Sequence, residues 1–231
     1  MEIDLNCDLG EGYPSDADLM PLITSANIAC GFHAGDPATA FTALTAAARH
    51  QVRAGAHPGF PDREEFGRRE LPRSAQQVFE DCVYQIGALA GLARAVGISV
   101  SHLKVHGALY NMACAVDAYA EPVVAAAALF GLPLLGLPHS RLEARSAGRC
   151  SFVPEGFADR RYRPDGSLVP RTQADAFVND PAEAVRQMRW LIESQGVRTL
   201  CVHGDNPQAL AFVRELRDVL LRQGFTLRPF A

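Results

Sequence analysis

The sequence predicts an α/β protein, a seven-stranded (β/α) barrel, and three observations predict it. Short apolar runs fall near residues 2–7, 26–32, 52–57, 100–105, 133–137, 150–154 and 198–203. Helical patterns lie between most of them, the strand–helix alternation of a parallel sheet. The runs end at polar residues: Asp8 and Glu11, His33, His57, His106, His139, Glu155 and Asp159, and His203. A barrel or a doubly wound sheet gathers such C-terminal strand ends into one pocket. No G-x-G-x-x-G follows the first run, so an open dinucleotide-binding sheet is the weaker alternative.

The elements follow in order. Residues 15–25 begin with a capping serine and continue with apolar residues at helical spacing. Residues 37–51 are alanine-rich, with Asp36 as an N-cap and Pro37 at the first helical position. In 74–97, Val78, Cys82, Ile86, Leu89 and Ala93 make one stripe, ended by Gly97. Tyr119 to Phe130 reads as a further helix. The stretches 180–196 and 206–224 each open with Asp or Asn before Pro and close on Gly, which marks helix ends. Residues 155–178 are the least regular and carry Arg160, Arg161, Arg163 and Arg171, a pattern expected of a loop over the pocket mouth.

The 231 residues are expected to form a single domain, 1–231, since no composition break or Gly/Ser linker divides them. A net charge of −4 gives no reason to expect nucleic acid or an anionic membrane as partner. No apolar stretch approaches the ~20 residues that span a bilayer. The first residues carry no secretory pattern. None of the six cysteines forms a C-x-x-C pair. These features together lead us to expect a cytoplasmic protein.

The candidate chemistry sits at the strand ends. Asp8 and Glu155 are carboxylates suited to act as general base. His33, His57 and His106 are imidazoles converging on one face. Lys104 shares a strand face with His106 two residues on, and a buried lysine needs an acidic partner or an anionic ligand. Around them we take Asn6, Glu11, Asp36, Arg69, Tyr110, Asn111, Asp159, Arg160, His203 and Asp205 as substrate-binding candidates. Arg160 is suited to hold a carboxylate, whereas Asp36 fits a helix cap equally well. His139 is set aside, because its Pro-His-Ser context suits a helix start. No H-E-x-x-H pattern is present, so no metal ligand is assigned. Cys7 beside Asp8 is a weak nucleophile candidate, with no histidine assignable to it.

Seven segments carry a resemblance: DLNCDLGEG (4–12), ITSANIACGFHAGDP (23–37), GAHPGFPD (55–62), FGRR (66–69), HGALYN (106–111), EGFADRRY (155–162) and VHGDN (202–206). In this order they resemble the LamB/YcsF family, the A subunits of prokaryotic ATP-dependent 5-oxoprolinase. The resemblance implies a barrel of the glycoside hydrolase/deacetylase type. It also implies opening of the 5-oxo-L-proline lactam to L-glutamate, coupled to hydrolysis of ATP to ADP and phosphate. Separate B and C subunits are implied as partners, with ATP as co-substrate and Mg accompanying it. The chain has no Walker A sequence, so the nucleotide is expected to involve another subunit or an unfamiliar binding mode. The family commonly has proline where Val105 stands, between Lys104 and His106. Two other readings remain open: a metal-dependent deacetylase-like hydrolase acting alone, and a non-catalytic subunit that binds 5-oxoproline.

Overall fold

The computed structural model describes residues 1–178, 180–203 and 209–230. Parallel strands β1 (Glu2–Leu9), β2 (Ser25–Ala29), β3 (Arg53–His57), β4 (Leu134–Gly136), β5 (Phe152–Phe157) and β6 (Thr199–His203) pair in the order β3-β2-β1-β6-β5-β4. The two ends of that path meet on one segment. Leu103 bridges both Ala56 and Leu134 in parallel. Ala56 N donates to the His102 carbonyl at 2.9 Å, and Leu135 N donates to the Leu103 carbonyl at 2.9 Å. The segment 101–104 is therefore the seventh stave, and the ring closes, abolishing its edges. A two-residue strand β7 (Thr226–Leu227) pairs with the start of β1 outside the ring. The sequence contains no signal for it.

Helices α1 (Asp16–Leu19), α2 (Pro37–His50), α3 (Ala75–Ala95), α4 (Gly107–Ala115), α5 (Asp117–Phe130), α6 (Arg141–Ser146), α7 (Pro181–Gln195) and α8 (Ala209–Arg222) alternate with the staves. Ser74 caps α3 in a capping box with Gln77, and Val78, Cys82, Ile86, Leu89 and Ala93 are all buried beneath it. The helix expected over 15–25 is cut short. It passes into a 3₁₀ turn at Met20–Leu22, and Ser25 already belongs to β2. Pro21 cannot donate to the preceding turn, which favours this break. Helix α4 begins at a left-handed Gly107 after His106, without a side-chain cap, and so leaves little trace in the sequence. No single helix among the described residues is long and apolar enough to cross a membrane.

The inside of the ring is unusual. Eight-stranded barrels commonly fill their centre with layers of branched apolar side chains. Here β1 presents Asp4, Asn6 and Asp8 at alternate positions, all buried. Thr24 and Ser25 donate to Asp4 Oδ1 at 2.6 and 2.7 Å, and Thr199 Oγ1 donates to Asp4 Oδ2. Asn27 Nδ2 donates to Asn6 Oδ1 at 2.7 Å and to Asp8 Oδ1 at 2.8 Å. His102 Nε2 is 2.8 Å from Asn27 Oδ1. These polar groups satisfy one another, as burial requires. Phe230 packs edge-on against His102 at the ring's N-terminal end, beside Leu135 and Val153.

Gly55 of β3 makes room for this network. A Cβ there would lie 2.1 Å from His102 Nε2. Gly55→Ala is expected to cost about 1–3 kcal/mol through overpacking. A fall in the urea-unfolding midpoint measures it.

Candidate active site

The C-terminal ends of β1, β3, β5, β6 and the seventh stave converge on Lys104. Its ammonium lies 2.9 Å from Asp8 Oδ1 and 2.9 Å from Glu155 Oε1. Asn6 Oδ1 accepts from it at 3.3 Å, and Cys201 Sγ is 2.9 Å away. The Phe157 ring lies beneath the charge, 5.2 Å from Nζ to the centroid. Burial opposes the charge on Lys104, but Asp8, Cys201 and Glu155 overcome it and hold its pKa well above the usual lysine range. Burial pushes Cys201 far above an ordinary thiol, so at neutral pH the two carboxylates hold the ammonium. Burial likewise works against ionised Asp8, yet His57 and Lys104 keep its carboxyl well below the usual value.

The imidazoles form a second layer on Asp8. His57 Nε2 is 3.3 Å from Asp8 Oδ2 and 2.9 Å from His106 Nδ1. His33 stacks on His106 with centroids 3.8 Å apart and planes 3° from parallel. Glu11 Oε1 reaches His33 Nε2 at 3.3 Å and His106 Nδ1 at 3.6 Å. Burial, reinforced by the neighbouring imidazoles, holds the pKa values of His33 and His106 well below the usual histidine value. Phe66 covers both rings edge-on, at 5.7 Å from His33 and 5.3 Å from His106. Its backbone is left-handed, with φ +55°. That conformation is uncommon for an aromatic residue and marks a constrained turn at the site.

The glycines of the matching segments have local reasons. A Cβ at Gly59 would approach His33 Nδ1 to 2.7 Å, and one at Gly67 would approach His33 Cβ to 2.7 Å. Both positions must be glycine for His33 to lie flat on His106.

Of the residues expected at the site, Asp8, Glu11, His33, His57, Lys104, His106 and Glu155 come together. Asn6 forms the floor, donating to Glu155 Oε1 at 3.1 Å. Tyr110 lies beside it, stacked edge-on against Phe157. Burial and the Glu155 carboxylate raise the Tyr110 phenol far above its usual value. Tyr110 Oη and Glu155 Oε2 are both buried without a hydrogen-bond partner. His203 at the end of β6 stacks on Phe157, and its Nδ1 pairs with Asp159 Oδ2 at 2.9 Å. Asp205 lies outside the described residues.

Four expected residues turn elsewhere. Asp36 caps α2 through Thr39 N at 2.7 Å and is exposed. Asn111 is exposed on α4. Arg69, half exposed, pairs with Asp62 at 2.7 Å. Arg160 is buried, but its guanidinium donates to the Val169 and Ala176 carbonyls at 2.5 and 3.3 Å and lies over Phe177. It organises the 158–178 loop instead of offering a fork to a ligand. His139 is exposed and left-handed, with its amide on Glu143 at 2.5 Å. Cys7 is fully buried, and burial pushes its thiol well up, which removes it as a nucleophile.

Asn27, His102, Thr199 and Cys201 join the centre without being expected there. The first has a signal in the sequence: Ser25 and Asn27 alternate with apolar residues, as Asp4, Asn6 and Asp8 do, which places polar groups on one strand face.

Asp4 yields a pH prediction. Burial raises its pKa to about 6, against hydroxyl donors from Thr199, Thr24 and Ser25 and with help from Glu155. The folded value exceeds the unfolded one, so this group's stabilisation is complete below about pH 4 and is lost as pH rises through 6. Asp4→Asn should flatten the stability profile between pH 4 and 7 by about 2 kcal/mol, whatever constant cost the amide brings. Urea unfolding at several pH values checks this.

Fold and site together define a (β/α) barrel whose mouth holds a buried lysine–carboxylate centre under three imidazoles. The chain belongs to the LamB/YcsF family, whose model matches residues 3–231. It is 42% identical over 247 aligned positions to the 5-oxoprolinase A subunit of Tolumonas auensis, covering 98% of each chain. The crystal structure of a lactam utilization protein from Thermus thermophilus matches with a TM-score of 0.91 and 38% identity, covering 100% of both chains. The catalytic domain of a peptidoglycan N-acetylglucosamine deacetylase from Eubacterium rectale has the same fold, at a TM-score of 0.56 and 11% identity over 99% of this chain and 88% of that one.

Proposed function

We propose that this chain is the A subunit of a 5-oxoprolinase, opening the lactam of 5-oxo-L-proline to L-glutamate with hydrolysis of ATP to ADP and phosphate. The full-length likeness to a protein of that name and to a lactam utilization protein supports the reading. The observation that carries it is the placement of Asp8 between the Lys104 ammonium and the His57 imidazole.

The chemistry needs that arrangement. A lactam is a resonance-stabilised amide, and its opening near neutral pH needs an activated carbonyl and a base for water. Phosphorylation of the amide oxygen supplies the activation and accounts for the use of ATP. Asp8 or Glu155 acts as the base. Lys104 stabilises a phosphoryl group or the developing oxyanion. His57 touches Asp8 and passes its proton on, with His33 and His106 within reach.

ATP, carrying Mg, binds with another subunit or in a mode other than the P-loop that this sequence lacks. The partners are the B and C subunits of 5-oxoprolinase. We place the complex in the cytoplasm, in keeping with six free cysteines.

Omission of subunits tests the assignment. Glutamate and phosphate release should require 5-oxoproline, ATP and the full mixture. Undiminished release by the B and C subunits without this chain would remove it from the reaction.

A further inference from the structure

Two imidazoles at the barrel mouth have their hydrogens fixed by backbone. His57 Nδ1 is 2.8 Å from the Lys104 carbonyl oxygen, and His106 Nε2 is 2.9 Å from the Phe66 carbonyl oxygen. A carbonyl only accepts, so each of these nitrogens is the one that carries a hydrogen in the neutral ring. The opposite nitrogens, His57 Nε2 and His106 Nδ1, then face each other with lone pairs across 2.9 Å. Such a pair repels unless positive charge enters between them. Glu11 Oε1 lies beside them with His33 Nε2 3.3 Å away, and one ligand atom from each of the four residues lies within 4.8 Å of all the others. The neighbouring ammonium does not serve them, because Lys104 is engaged by Asp8 and Glu155.

We propose that Glu11, His33, His57 and His106 bind a divalent first-row transition-metal ion. Three imidazoles and one carboxylate are ligands suited to zinc, cobalt, nickel or iron. A tetrahedral site with bonds of about 2.0–2.2 Å separates ligand atoms by about 3.4 Å. The separations of 2.9, 3.3 and 3.6 Å among these residues bracket that value. The Lys104 and Phe66 carbonyls are the outer partners that orient metal-bound imidazoles elsewhere. The absence of a side chain at Gly59 and Gly67 leaves room for the His33 ring where it stands. The competing arrangement is a proton on His57 Nε2, shared with His106 Nδ1 and Asp8 Oδ2, with the His33 Nε2 hydrogen on Glu11; metal titration separates the two.

Nothing in the sequence motifs signals this site, because its ligands come from four separate segments with no common spacing. Binding does not depend on which reaction the chain performs. With an ion present, the three imidazoles act as ligands, and proton transfer in the proposed reaction falls to Asp8 and Glu155. The ion would add a Lewis acid beside Asp8.

The test uses the whole chain without substrate. Chelator-treated protein is titrated with zinc by calorimetry and with cobalt by visible absorption. X-ray absorption on the cobalt form then counts imidazole ligands. We expect one ion per chain, three imidazoles in its shell and a raised thermal unfolding midpoint. Glu11→Gln, similar in shape, should weaken zinc binding at least ~10-fold. If that variant does not fold, the ligand count on the unmodified protein decides. Failure of the folded protein to bind zinc or cobalt up to about 1 mM overturns the proposal. So does a bound ion with fewer than two imidazoles, or equal affinity in folded Glu11→Gln.

Discussion

Lys104→Met is expected to abolish turnover by the reconstituted complex. The ammonium is in contact with both Asp8 and Glu155. Methionine matches its length and leaves two buried carboxylates facing an apolar side chain. Breaking a buried pair in this way typically costs about 3–5 kcal/mol, since it strands the partner charges. The variant therefore folds at a lower urea midpoint, and its penalty shrinks at acidic pH, where the stranded carboxylates take up protons. Circular dichroism identifies the folded fraction, and glutamate release from that fraction is the readout. Near-normal release removes Lys104 from the reaction.

Asp8→Asn should lower turnover by about 10²–10⁴-fold, the range associated with general acid–base groups. The amide keeps the shape. Its Oδ1 can still accept from Asn27 Nδ2 and Lys104 Nζ, as Asp8 Oδ1 does at 2.8 and 2.9 Å. Its Nδ2 donates to the His57 nitrogen 3.3 Å away. What is lost is the base and its charge. A protein that only binds 5-oxoproline would behave differently, retaining most of the complex's turnover in Asp8→Asn and Glu155→Gln. Initial rates with all three subunits distinguish the two.

Much of the centre is legible in the sequence. Apolar runs stopping at Asp8, His57, Lys104–His106, Glu155 and His203 mark strand ends, and a closed ring gathers strand ends. All seven runs take their places in the ring, although 100–105 pairs with its neighbours only around Leu103. What sequence does not carry is orientation. Arg160 follows Asp159 in a segment that matches the family, yet its guanidinium turns back to Val169 and Ala176. Those carbonyls belong to a loop whose path has no periodicity to read. Asp36 offers both a ligand and a cap, and local geometry takes the cap. The tautomers of His57 and His106 depend on carbonyls of Lys104 and Phe66, the second of them 40 residues from the histidine it fixes. The polar lumen is hidden for another reason. Thr199 and Cys201 sit in an apolar run that reads as buried, and burial in most barrels means apolar contact. Here they join a hydrogen-bonded stack built on Asp4, Asn6 and Asp8.

The central claim is that the lactam is opened at this barrel's strand ends. The most direct measurement is a crystal structure of the reconstituted complex soaked with 5-oxoproline. The account predicts the lactam against Asp8 and Lys104, beneath Phe66. A lactam held by the B or C subunit, with the Asp8–Lys104–Glu155 centre untouched, would contradict it.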